Sequence, residues 1–172
     1  MSKKQIKAAN KLLSNCRPQV KLSESPMEEN PGLPEDYFDI VYSIFALGWS
    51  TNLDKTLGNV NKYLKTGGKF IFSWEHPLHS RVNSKDGVLT FDKSYHEEGP
   101  YDHEAWDHPA IMQQHKLSTY INSLISNGFA IERMLEEVRL TDEDIHRHAN
   151  RWYSYEKAKS VPTTLIIKSR KM

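Results

Sequence analysis

The side chains with the clearest chemical potential are histidines gathered in one segment of the chain. Imidazole and carboxylate are good ligands for zinc or iron, and here carboxylates are interleaved with the histidines. The spacing matches no helical motif of the H-E-x-x-H type, so it favours histidines that brace loops or face solvent, and we predict no metal site. The segment contains His76, His79, His96, His103 and His108, with Asp102, Glu104 and Asp107.

The first half of the chain must position these side chains through alternating helices and strands. Residues 3–14 have apolar side chains at helical spacing, and residues 19–23 alternate like a short strand. The stretch 25–37 contains three prolines and a glycine, which is typical of a loop. Residues 38–45 form a nearly continuous apolar run, as in a parallel strand buried on both faces.

A strand–helix–strand unit is predicted over residues 38–74. Thr51 with Asp54 resembles a capping box, and Leu53, Leu57 and Val60 then recur at helical spacing. The helix is expected to break at the glycines near residue 67, before a second strand at 69–74. The length of the unit is that of a right-handed βαβ crossover. Such a unit places the carboxyl ends of both strands at one edge of a sheet.

The second half is predicted to carry an insertion and then close the sheet. Residues 75–109 are rich in Gly, Pro, Asp and His, which indicates a loop with one hairpin or short strand. Residues 116–127 follow as a helix, and strands are expected at 129–140 and 163–169, separated by a polar helix from about Thr141.

The charge balance, the cysteine count and the apolar runs of the sequence exclude several classes of function. There are 23 Lys and Arg against 22 Asp and Glu, so no net field attracts nucleic acid or a membrane surface. Cys16 is the single cysteine, which excludes an intrachain disulfide and fits a reducing compartment. No apolar run approaches 18 residues and no signal peptide is evident. We therefore expect one cytoplasmic domain.

Three motifs in this order resemble one enzyme family. They are Phe38-Asp39-Ile40-Val41-Tyr42-Ser43, the stretch Leu64 to Phe72 around Gly67-Gly68, and Ser126-Asn127-Gly128-Phe129. With them the chain resembles the ubiquinone-biosynthesis-like (type 11) group of class I S-adenosylmethionine-dependent methyltransferases. The resemblance implies an α/β fold: an incomplete Rossmann-like three-layer sandwich with a mostly parallel sheet and an antiparallel last strand. It also implies methyl transfer from S-adenosylmethionine to an acceptor that the sequence does not name, which we expect to be a small molecule.

The resemblance implies a set of cofactor-binding residues. In the family, the cofactor lies at the carboxyl ends of the central strands. The loop that grips adenine matches Ser25, Pro26 and Met27, and the segment lining the methyl-donor end matches Ser43, Ile44 and Phe45. Ordinary loop packing of Pro26 and Met27 is the alternative.

Residues for the transfer itself are expected at the strand end and in the insertion. Glu75 and His76 follow the strand at 69–74 and are candidates for a base, although they could equally cap the strand and turn the chain. The insertion, at about 76–112, is predicted to be a substrate lid. Aromatic residues in or beside these loops either form a lid over the acceptor or anchor their loops. They are Trp49, Trp74, Tyr95, Tyr101 and Trp106.

Part of the family's cofactor site has no counterpart in the sequence. The family's glycine-rich turn follows a strand, whereas Gly67-Gly68 follows a predicted helix, and residues 1–9 resemble the helix that comes after the ribose-binding acid. The resemblance thus predicts a single truncated domain over 1–172 with weak or absent cofactor binding. A non-catalytic remnant or binding subunit is the alternative to an active enzyme, and a small α/β binding module unrelated to methylation is a third interpretation.

Loss of the family's first two strands would expose the strand at 38–45 as a sheet edge, which proteins avoid. Three arrangements would resolve this. The preceding strand moves over to pair, two chains pair edge to edge as a homodimer, or another polypeptide supplies the missing piece.

Overall fold

The computed structural model describes residues 3–15, 20–85, 87–103, 110–136, 141 and 155–172. The helices are α1 (Lys3–Leu13), α2 (Leu53–Tyr63), α3 (Leu117–Ser126) and the single turn α4 (Tyr155–Ala158). The strands are β1 (Phe38–Ile44), β2 (Leu64–Glu75), β3 (Val82–Lys85), β4 (Val88–Phe91), β5 (Gly99–His103), β6 (Ala110–Gln114), β7 (Phe129–Leu135) and β8 (Thr164–Lys171).

The main sheet has four strands in the order β1-β2-β8-β7. β1 and β2 are parallel, whereas β8 is antiparallel to both of its neighbours, β2 and β7. Three strands therefore run one way and the last strand in the chain runs the other way. This confirms the predicted α/β fold with a mostly parallel sheet and an antiparallel last strand.

The hydrophobic core lies between the sheet and helices α2 and α3. Phe70 and Phe72 of β2 are buried, and the Phe72 ring lies 5.8 Å from that of Tyr120 on α3. Leu57 on α2 belongs to the same buried cluster. The opposite face carries Glu132, which makes ion pairs to Lys69 (2.6 Å), Lys168 (3.2 Å) and Arg170 (3.0 Å). Within the described residues, helices α2 and α3 both pack on the first of these faces.

β1 differs from the prediction in its burial. It is parallel to β2 as expected, yet within the described residues it has no second neighbouring strand. Ile40, Tyr42 and Ile44 are 57%, 70% and 68% exposed, so the prediction of a strand covered on both faces is wrong for this part of the chain. The Phe45 N–H donates to the Ser73 carbonyl of β2 (2.9 Å). Because backbone groups alternate along a strand, those of Ile40, Tyr42 and Ile44 point outward.

Other predictions concern single segments of the chain, and two of them differ from the structure. The helix cap is Asn52, whose side chain accepts from the Lys55 N–H (3.0 Å), instead of Thr51. Residues 20–23 form no strand and pair with no other strand among the described residues, although β1 has an open edge. The polar helix expected from about Thr141 falls outside the described residues except for Thr141 itself.

The insertion at 76–112 contains two hairpins where one was expected. β3 pairs with β4 and β5 pairs with β6, both antiparallel. Arg81, which is fully buried, joins them to the chain around it. Its guanidinium donates to the carbonyls of Pro77 (2.6 Å), Ser94 (3.2 Å) and Glu97 (2.7 Å). The insertion is thus organised around one buried cation.

The insertion also caps helix α3. The Glu98 carboxylate accepts from the Lys116 N–H and the Thr119 hydroxyl, both at 2.6 Å, and the Tyr95 hydroxyl accepts from the Leu117 N–H (3.1 Å). Lys116 itself provides no side-chain cap. These bonds satisfy N–H groups that a helix start leaves without partners. In the described segments, no helix has the length and apolar character needed to span a membrane.

Candidate functional site

A cavity of about 560 Å³ lies along β1, and we call it the edge cleft. It is formed by β1, the loop before it and helix α2. Five of the six predicted cofactor residues line it, and the sixth, Phe45, does not. The five are Ser25, Pro26, Met27, Ser43 and Ile44. The structure thus brings together two predicted groups that are separated by about fifteen residues of chain.

The walls of the edge cleft are mainly apolar. Val41, Leu47, Val60 and Phe70 contribute side chains from the core side. The Ser43 hydroxyl oxygen is buried and has no hydrogen-bond partner in the described part of the chain. A buried polar atom without a partner is costly, and its presence at a cavity wall is what a ligand-binding group would show. The volume falls in the usual range for small-molecule sites.

Glu28 fixes the loop that closes the cleft. Its carboxylate accepts from the hydroxyls of Ser50 and Thr51, both at 3.0 Å, and from the backbone N–H groups of Thr51 and Asn52. Burial by itself would raise the pKa of this carboxyl, but the hydrogen bonds outweigh burial and lower it. The Asn59 side chain also donates to the Met27 carbonyl (3.1 Å). The loop is therefore tied to the start and the middle of α2.

Phe45 ends β1 in a conformation that is rare for a bulky residue. Its φ is +47°, in the left-handed region. Its N–H still continues the β1–β2 ladder through Ser73, and its ring lies 6.1 Å from that of Trp74. Phe45 is thus part of an aromatic group at the strand ends and not a wall of the edge cleft.

Trp74 lines a second cavity, a small polar one at the end of β2, which we call the end pocket. Its side chain is 6% exposed and lies against Gly48, where an added Cβ would fall 1.9 Å from the indole ring. Leu47, beside Gly48, lines the edge cleft. The ring of Trp49 packs edge-on against Trp74 at 6.4 Å.

The two predicted base residues are both buried and both engaged. Glu75 Oε1 lies 2.8 Å from His79 Nδ1. His76 Nε2 lies 2.8 Å from Glu136 Oε1, while its Nδ1 accepts from the Leu78 N–H (3.2 Å). Both ring nitrogens of His76 are therefore engaged. Burial lowers the pKa of His76, although the bond to Glu136 opposes this shift. Glu75, in contrast, lines the end pocket.

The predicted lid aromatics have different positions. Trp74 and Tyr101 line the end pocket. Tyr95 lies under the Arg81 guanidinium, 5.0 Å from ring centre to cation, and so anchors the insertion. Trp106 lies outside the described residues. Within the described residues, no group of three or more His, Cys, Asp or Glu side chains is arranged to hold a metal.

Sequence reasoning missed several residues that build this region. Glu28 and Arg81 organise the loop and the insertion, and His115 and Tyr120 line the end pocket. Tyr120 carried a signal only as one residue of an apolar helical stripe, which indicates core packing. A charged residue gives no sign from its type alone that it will be buried.

Comparisons with known proteins agree with this architecture. Residues 1–72 match the family model described as a methyltransferase domain. An uncharacterized protein from Haemophilus influenzae is 29% identical over 185 residues, covering all of this chain and 70% of that protein. An S-adenosylmethionine-dependent methyltransferase structure from Mesorhizobium loti has a TM-score of 0.79 and 26% identity, covering 99% of this chain and 77% of that chain.

More distant structures share the fold. A putative S-adenosylmethionine-dependent methyltransferase from Listeria monocytogenes has a TM-score of 0.73 at 22% identity, with coverage of 99% of this chain and 77% of that chain. The glycopeptide N-methyltransferase MtfA, solved with S-adenosylmethionine, has a TM-score of 0.61 at 13% identity, covering 100% and 75%. The matched domain over residues 1–72 and the structural similarity show that this chain has the Rossmann-like α/β fold of S-adenosylmethionine-dependent methyltransferases.

Proposed function

We propose that this chain binds S-adenosylmethionine in the edge cleft and transfers its methyl group to a small-molecule acceptor held under the insertion at 76–112. Methyl transfer from S-adenosylmethionine is the general activity of the family. The proposal concerns the binding of this donor by this chain and the nature of the acceptor. The observation that carries the proposal is the cleft itself, in which the predicted adenine loop and the end of β1 face one cavity.

The residues of the cleft support binding of the adenosine part of the donor. Met27 and Val41 supply apolar surface against which a ring can lie, and the Ser43 hydroxyl supplies an unused hydrogen-bonding group. Among the described residues the Ser25 hydroxyl donates to the adjacent Pro26 carbonyl (3.2 Å), a bond it can exchange for one to a ligand at small cost. When bound, the donor supplies an electrophilic methyl group on a sulfonium. This chain's contribution is to position the acceptor and exclude water.

Proton removal from the acceptor falls to residues at the end of β2. Glu75 is the better placed of the two predicted residues, because its carboxylate lines the end pocket. His76 would first have to release Leu78 or Glu136. A base contributes roughly 10²- to 10⁴-fold to such a step.

Isothermal titration calorimetry with S-adenosylhomocysteine tests donor binding directly. We expect a micromolar dissociation constant for the full chain. Ser43→Leu, which fills the cleft, is expected to weaken binding by at least about tenfold, equivalent to about 1.4 kcal/mol. Ser84→Leu, in the β3 hairpin, is the matched control and should bind as the unsubstituted chain does. No binding up to millimolar ligand would overturn the proposal.

A non-catalytic binding subunit is the second candidate function. It is favoured by the sheet edge at β1, which no described strand covers, and by the absence of a glycine-rich turn after a strand. The same titration separates the two candidates, because a subunit that has lost the donor would give no heat.

We also propose that two chains pair along β1. The outward backbone groups of β1 support this arrangement, in which the exposed Ile40, Tyr42 and Ile44, which also line the edge cleft, would lie between the cleft and the partner chain. Sedimentation velocity should then show a dimer that Tyr42→Lys dissociates, and a monomer at all concentrations would refute it. A cytoplasmic location is proposed from the single cysteine, Cys16, and cell fractionation tests it.

A further inference from the structure

Two residues that line the end pocket each have a buried polar atom with no hydrogen-bond partner among the described residues. The Tyr120 hydroxyl and His115 Nε2 are both buried without a hydrogen-bond partner in the described part of the chain. Tyr120 is only 2% exposed. Both residues line the end pocket, with Glu75 and Tyr101 on its other walls. Each unsatisfied group costs about 1–3 kcal/mol, so a stable fold has reason to avoid two at one place.

The size of the pocket limits what can satisfy these atoms. Its free volume is about 10 Å³, which admits roughly one water-sized group. A ligand could therefore insert one terminal group and no ring or chain. Trp74 lines the pocket and packs against Gly48, next to Leu47 of the edge cleft. A group held here would belong to a molecule lying at the strand ends.

The chemistry of the walls indicates a neutral group. Burial raises the pKa of Tyr120 and of Tyr101, so both phenols remain protonated donors. Burial lowers the pKa of His115, so its ring is neutral and one nitrogen can accept. Charges of both signs act on Tyr120, since Glu75 and Glu98 raise its pKa and the Arg81 guanidinium lowers it. A hydroxyl group can accept from the phenol and donate to the imidazole at the same time.

We propose that the end pocket is a subsite for one hydroxyl group of the methyl acceptor, held by the Tyr120 phenol and His115 Nε2. The Tyr120 O–H donates to the oxygen of that hydroxyl, which in turn donates to His115. The inference rests on the proposed methyl transfer, because it assigns the bound hydroxyl to the acceptor. It makes Tyr120 and His115 specificity residues that select hydroxylated acceptors.

Crystals of the full chain soaked in methanol test the subsite, with methylammonium chloride as the competing probe. We expect the methanol oxygen within about 3 Å of both Tyr120 Oη and His115 Nε2. Methylammonium in the same position would overturn the hydroxyl assignment. A water molecule with either probe, or an adventitious additive only, would overturn the subsite. S-adenosylhomocysteine binding is measured in the other cavity, so the proposed function can fail or hold independently.

Two tyrosine variants separate a ligand role from a structural one. Tyr120→Phe should lose bound methanol while its melting temperature stays the same or rises, because the hydroxyl it removes has no partner. Tyr95→Phe should keep methanol but melt about 3 °C lower, because it loses the bond from the Leu117 N–H. His115→Leu should also lose bound methanol. A large fall in the melting temperature of Tyr120→Phe, with methanol retained, would contradict the proposal.

Discussion

The edge cleft and the end pocket are built in opposite ways. The cleft is wide and mainly apolar, and it is closed by a loop that Glu28 ties to helix α2. The end pocket is water-sized and polar, and its walls come from β2, β5, β6 and α3. A wide apolar site recognises a ligand by shape and buried area, whereas a small polar site recognises it by hydrogen bonds. The contrast suggests that one domain separates general donor binding from selective acceptor binding.

Removing the Arg81 side chain should have the largest effect of these changes. It should disturb the end pocket much more than the edge cleft. Arg81→Ala leaves the carbonyls of Pro77, Ser94 and Glu97 without their donor. At about 1–3 kcal/mol for each unsatisfied group, we expect the free energy of unfolding to fall by about 3–5 kcal/mol in urea denaturation. The end pocket should lose methanol binding, while S-adenosylhomocysteine affinity of the folded protein stays within about threefold.

Arg81→Lys is the milder variant for this test. It keeps the charge but only part of the donor geometry, so its loss of stability should lie between those of the unsubstituted chain and Arg81→Ala. Equal stability for all three proteins would show that Arg81 does not organise the insertion.

Adding a side chain at Gly48, which packs against Trp74, should have an intermediate effect on stability. In Gly48→Ala the new Cβ would meet ring atoms of Trp74 at 1.9, 2.3 and 2.7 Å. The indole must move, and we expect a loss of about 1–3 kcal/mol with a shift in tryptophan fluorescence. The control is Gly58→Ala in α2, whose Cβ would meet only Asn127 Oδ1, at 3.3 Å.

Gly58→Ala should be neutral or stabilise by up to about 1 kcal/mol, because alanine favours a helix. If Gly48→Ala and Gly58→Ala have the same stability, the packing of Gly48 against Trp74 does not contribute to stability.

The smallest effect is expected at the loop of the edge cleft and should depend on pH. Glu28→Gln weakens several hydrogen bonds and should cost about 1 kcal/mol at neutral pH. Because the folded pKa of Glu28 is lowered from the ordinary 4.5, its contribution is present above that value. It is then lost as pH falls through the folded pKa. The stability difference between Glu28→Gln and the unsubstituted chain should therefore shrink below pH 4.5.

Glu24→Gln, at an exposed neighbour in sequence, is the control for the loss of one carboxylate from this segment. A constant difference down to pH 3 would mean that the Glu28 carboxylate is not what holds the loop.

Local patterns were enough to predict the framework of the sheet. The apolar run at 38–45, the helical spacing after it and the strand at 69–74 predict two parallel strands joined by a helix, and β1, α2 and β2 have this arrangement. The resemblance to the methyltransferase family added the two groups of residues that meet in the edge cleft. Both results follow from short stretches of chain, where side-chain periodicity reports which face is buried.

Only the tertiary structure decided how these elements are held together. Glu28 reaches residues 22 to 24 positions away, and Glu98 caps a helix 18 residues later in the chain. Arg81 is fully buried because backbone carbonyls of two later residues surround it. The exposure of β1 likewise depends on which strands lie beside it and not on its own composition. Periodicity describes one element at a time, whereas a cap, a buried charge or an open edge is a relation between elements distant in sequence.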